Sequence, residues 1–87
     1  MSPYVGRIVT ALCGHDRDRL YLVVGEENGY LFLCDGKRRR LEKPKRKKIK
    51  HIRPILPERR CDPAVMTDGR LRKWLSESAD LQNRIIN

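Results

Sequence analysis

The sequence predicts a mainly β fold: a small five-stranded barrel followed by one C-terminal α-helix. Three observations carry this. Short runs of β-branched and aromatic residues recur between residues 5 and 52, separated by turn signals. Five such runs leave no room for crossover helices, which points to a strongly curved barrel, SH3-like or OB-like. Farther along, Leu71, Trp74, Leu75 and then Leu81 or Ile85 recur near helical spacing, just after residues that cap helices well.

Each element follows from its residues. Residues 5–12 (Val-Gly-Arg-Ile-Val-Thr-Ala-Leu) form a first strand, stopped by Cys13-Gly14. Residues 20–24 form a second, ended by Gly25. Asn28-Gly29 is a hairpin signal, because both residues tolerate the positive φ of a tight primed turn. Residues 30–34 make the third strand, turned by Asp35-Gly36. Residues 37–41 fit a short fourth strand, and residues 48–52 alternate polar and apolar as a half-buried fifth. Val9, Leu22, Val24, Leu31 and Leu33 are the expected core. Tyr21, Tyr30 and Phe32 lie in strands, and sequence does not say which of them faces outward.

The barrel therefore occupies residues 1–56, including a basic arm at 37–53. A proline-punctuated connector occupies 57–66, with Pro54-Ile55-Leu56-Pro57 extended before it. The C-terminal segment 67–87 holds a helix over about residues 69–83, capped by Thr67 or Asp68. Its apolar stripe should pack on the barrel or on Ile55 and Leu56, with a second protein as the alternative.

Charge is the loudest signal. Between Lys37 and Arg60 there are thirteen Lys or Arg against two Glu, a local balance of +11 within a chain of net charge +9. Residues 1–36 contribute −2 and residues 61–87 sum to zero. A basic block of this kind, placed after a neutral β-rich stretch, matches a polyanion, and a nucleic acid backbone is the commonest. Counterions released from neutralised phosphates favour such clustering.

The composition also bounds what else the chain can be. Its 87 residues make one domain, and with 39% hydrophobic and 36% charged residues the core must be small. The longest apolar runs fall far short of a membrane span, so no membrane partner is expected. No positively charged start followed by an apolar stretch opens the chain, so no secretory signal is expected either. Cys13, Cys34 and Cys61 are widely spaced and contain no Cys-x-x-Cys pair. They read as reduced thiols in a cytoplasmic protein, with neither a metal site nor a cofactor expected. A catalytic set would need Cys13 or Cys34 to meet His51 and a carboxylate through folding alone, and there is no glycine-rich phosphate loop. The expectation is a binding protein, not an enzyme.

The order of features resembles a known family. Val5-Gly6-Arg7-Ile8-Val9-Thr10-Ala11-Leu12, then Cys13-Gly14-His15-Asp16-Arg17-Asp18, then Leu22-Val23-Val24, is similar to the KOW motif of RNA-binding and ribosomal proteins. Leu33-Cys34-Asp35-Gly36-Lys37-Arg38-Arg39-Arg40, followed by Lys43-Pro44-Lys45 and Ile49-Lys50-His51-Ile52, narrows the resemblance. It is to bacterial KOW-domain RNA-binding proteins related to the L-fourteen-e group of large-subunit ribosomal proteins, and it covers roughly residues 4–55. It implies an SH3-like barrel of KOW type that binds RNA, often ribosomal RNA, on or near the ribosome and in translation. The motif usually has a glycine near the end of its loop, where this chain has Asp18; Asp can take a left-handed turn at modest cost.

The candidate RNA contacts are Gly14, His15, Arg17 and Arg19 on the first loop. On the basic arm they are Lys37, Arg38, Arg39, Arg40, Lys43, Lys45, Arg46, Lys47, Lys48, Lys50 and His51. Arg would bridge phosphates bidentately and Lys would supply point charge. The blander readings are a solvated loop for the tract at 43–50, an exposed turn residue for His15, and a core or docking residue for Trp74. A protein-interaction module, docking through the barrel or the helix while the basic tract confers solubility, is the competing function. A DNA-binding version also stays open.

Overall fold

The computed structural model describes residues 2–86; Met1 and Asn87, the outer ends of the barrel and helix segments read from sequence, lie outside the described residues. Five strands form one antiparallel sheet: β1 (Arg7–Ala11), β2 (Leu20–Glu27), β3 (Tyr30–Cys34), β4 (Lys45–Lys48) and β5 (Ile52–Arg60). Their order is β4-β3-β2-β1-β5, and the sheet does not close into a barrel. One helix follows, α1 (Asp68–Ile86).

The first three strands lie where the apolar runs place them. The β2–β3 turn has Asn28 at φ 50° and Gly29 at φ 82°, the two left-handed residues that a primed turn requires. Asp18 also sits at φ 65°, so the aspartate takes the left-handed turn for which glycine is the usual residue.

Two strands differ from expectation. Residues 37–41 are a loop, and the fourth strand is Lys45–Lys48 instead. The stretch 48–52 is not a strand: Ile49–His51 forms one 3-10 turn, and the fifth strand begins at Ile52 and runs to Arg60, past the expected connector boundary at residue 57. The prolines that punctuate this stretch suggested an extended connector, because each disfavours helix in the residue before it. β5 is an edge strand, however, and an edge tolerates them; Pro54 pairs with Val9 while Pro57 lies in the stretch between the Ile8–Ile55 and Arg7–Arg60 pairs, where the register shifts. Leu56, in the same stretch, takes the left-handed φ of 49°.

Side chains alternate between the two faces of the sheet, and both faces are apolar. One buries Val9, Tyr21, Val23, Leu31, Leu33 and Ile52, closed over by Tyr4, Val5 and Ile49. The other buries Ile8, Leu22, Cys34, Ile55 and Leu56 beneath Leu71 and Leu75 of α1. Val24, expected in the core, is partly buried at the edge of this second cluster. The helix thus docks within the chain, where each buried leucine stabilises by roughly 1.5–3 kcal/mol. Its stripe stops short: Leu81 and Ile85 are exposed.

Thr67 Oγ1 accepts the Arg70 N–H at 3.2 Å, capping the first turn. Arg59 of β5 holds the middle of the helix. Its Nε donates to buried Ser78 Oγ at 2.6 Å, Ser78 donates to the Trp74 carbonyl, and the guanidinium lies 5.2 Å from the Trp74 ring centre.

Candidate nucleic-acid interface

The basic loop after β3 is built around one carboxylate. Asp35 Oδ1 accepts the backbone N–H groups of Lys37, Arg38 and Arg39 at 2.9, 2.9 and 2.8 Å. The Arg39 carbonyl in turn accepts from the Asp35 and Gly36 N–H groups. Three like-charged side chains are thereby fanned outward from a closed backbone turn.

The start of α1 fixes the same loop from below. Asp68 Oδ1 accepts the Leu41 N–H at 2.8 Å, and its Oδ2 lies 3.5 Å from Arg40 Nε. Arg72 Nη1 donates to the Gly36 carbonyl at 2.9 Å. Gly36 has φ 78°, and a Cβ there would fall 2.3 Å from the Asp68 carbonyl oxygen, so only glycine permits this approach.

On β4, Lys45 and Lys47 pair with Leu33 and Leu31 and so share their face of the sheet. Their stems are half-buried over the core. Lys47 Nζ donates to the Cys13 carbonyl at 3.3 Å, linking β4 to the loop that leaves β1. The Lys45 pKa is lowered, first by burial and then by the charge of Lys47.

These segments meet in one open cleft of ≈ 570 Å³, lined by Gly14, His15, Arg38, Arg39, Lys45 and Lys47. Three chain segments contribute, residues 14–15, 38–39 and 45–47, the first of them more than twenty residues from the other two. Six of the fifteen sequence-predicted residues are therefore gathered in one concavity, which can hold anionic oxygens against Arg forks and Lys point charges.

The other nine lie elsewhere. Arg40 is drawn to Asp68 and away from the cleft. Arg19 and Lys37 line a second groove with Asp18, Asp35 and Arg72. Arg17 is exposed beside Asp18, and Lys43 and Lys50 are exposed on turns. His51 is half-buried, its carbonyl accepting the Leu12 N–H. Arg46 and Lys48 alternate to the opposite face of β4, where Arg46 lies 3.8 Å from the Tyr30 ring centre.

Asp35, Asp68 and Arg72 are the residues that sequence reasoning missed as parts of this site. Asp35 was legible as a turn residue and Asp68 as a helix cap, but the contact across 27 residues has no local signal. Among the described residues no group of three His, Cys, Asp or Glu side chains could hold a metal ion. No helix among them is long and apolar enough to cross a membrane. No family model and no curated protein matches this chain.

Proposed function

We propose that this chain is an RNA-binding module of KOW type that engages structured RNA, ribosomal RNA above all, in association with the ribosome and translation in the cytoplasm. The observation that carries the reading is the cationic cleft, in which Arg38, Arg39, Lys45 and Lys47 converge with Gly14-His15. Its supports are a loop arranged before binding, the +11 block, and the resemblance of residues 4–55 to KOW proteins. On this reading the sheet is of SH3-like type, and Lys47 Nζ of β4 reaches the Cys13 carbonyl in the loop after β1.

The cleft binds rather than reacts: its side chains are cations and a turn histidine, suited to phosphate oxygens and to the shape of an RNA backbone. Binding of a structured RNA by the isolated chain, measured against salt, tests it. If about four to six phosphates are neutralised, log K should fall with log salt at a slope of about −3 to −5. A flat dependence, or no binding at low salt, would overturn the reading in favour of a protein-interaction module.

A further inference from the structure

The strand that lines the cleft with Lys45 and Lys47 presents Arg46 and Lys48 on its other face, opposite Phe32 and Tyr30 of β3. Tyr30 and Phe32 are both only half-buried, in contrast to Tyr21 in the core. Phe32 lies against Gly25, where a Cβ would come within 3.3 Å of the ring, so bare backbone supports it from beneath. Arg46 lies over the Tyr30 ring, its guanidinium carbon 3.8 Å from the ring centre. A shallow recess of ≈ 300 Å³ is lined by Phe32, Arg46, Glu27 and Asn28.

We propose that this recess is a subsite for one unpaired nucleobase of the RNA whose phosphates occupy the cleft. The chemistry is complementary in each part. An aromatic ring and a guanidinium plane are the two surfaces on which unstacked bases lie. Asn28 offers a donor and an acceptor, and Glu27 accepts from a base edge that presents N–H groups. The two sites share one strand, so a backbone crossing the β4 edge places phosphates on Lys45 and Lys47 and turns its next base onto Phe32. This inference rests on the RNA-binding reading and narrows its substrate to RNA with a bulged or looped nucleotide.

The test compares three RNAs on the full chain: a fully paired blunt duplex without a loop, the same duplex with one unpaired nucleotide, and that duplex with an abasic residue at the unpaired position. The wild type should bind the bulged duplex about tenfold more tightly than the other two, in line with the worth of one base stacked on an aromatic ring. Phe32→Leu, which keeps apolar bulk against Gly25, should bind all three alike, and Phe32→Tyr should restore the preference. Equal binding of the three RNAs by the wild type would overturn the subsite while leaving the cleft in place. So would a preference that persists in a Phe32→Leu protein with native circular dichroism. Failure to bind any of the three would overturn the RNA reading and the subsite with it.

Discussion

Asp68 Oδ1 accepts a 2.8 Å hydrogen bond from the Leu41 backbone N–H, so the first residue of α1 anchors the end of the basic loop. On the proposed RNA-binding reading, the carboxylate opposes the polyanion by its charge and favours it by arranging the cations. The two effects give opposite signs on mutation. For Asp68→Ala, simple Coulomb reasoning raises RNA affinity; loss of loop order lowers it. We expect a several-fold loss of affinity by fluorescence anisotropy, with about 1–2 kcal/mol of stability lost, and partial recovery in Asp68→Asn, whose amide oxygen still accepts. Tighter binding by Asp68→Ala would show that the loop needs no anchor.

The two faces of β4 separate by salt. Lys45→Gln with Lys47→Gln removes two cleft cations and should reduce the magnitude of the log K against log salt slope by about 1.5–2, weakening binding to unrelated RNAs alike. An unchanged slope would move the phosphate site to another surface.

The sheet has a core on each face, so single truncations report on each independently. Leu31→Ala on one face and Leu22→Ala on the other should each cost about 2–5 kcal/mol in chemical denaturation. Leu71→Ala should cost a similar amount, because α1 covers the Leu22 face. A melting temperature unmoved by all three would contradict the packing described.

Thiol chemistry should follow burial. Cys13 is exposed, Cys61 half-buried and Cys34 fully buried, so alkylation of the folded protein should modify Cys13 first and Cys34 last. Burial, then the charges of Asp68 and Asp35, pushes the Cys34 pKa up to about 11 from the ordinary value of 9.0. The folded state therefore holds the proton more tightly than the unfolded one. Its contribution to stability is complete below about pH 9 and is lost as pH rises toward 11. Denaturation midpoints across that window should fall, and should fall less in Cys34→Ala.

Much of the fold was legible in the sequence. The hairpin at Asn28-Gly29, the three apolar strands and the helix are specified by residues adjacent in the chain, so period and turn chemistry reveal them. The fourth and fifth strands were misplaced because their logic is not local. Lys45–Lys48 has no apolar residue, and it becomes a strand only because β3 offers a partner. Pro54 and Pro57 are compatible with β5 only because it lies at the sheet edge, which the sequence does not state. The candidate site was legible as charge but not as geometry. Nothing near Arg40 indicates that Asp68 draws it aside, and nothing near Asp35 shows that its carboxylate orders three N–H groups.

The position of β4 at the end of the strand order has a consequence for the protein's behaviour in concentrated solution. A strand at the end of a sheet is where another chain can add on, and natural proteins discourage this with lysine. Here every residue of the edge strand is Lys or Arg, so the tract proposed to bind RNA is also one whose charge opposes pairing between copies of the chain. Removing its charge should leave a short apolar-backed template for intermolecular pairing. Glutamine variants of this strand should therefore show lower solubility and a greater tendency to self-associate than the wild type, even where they fold as well.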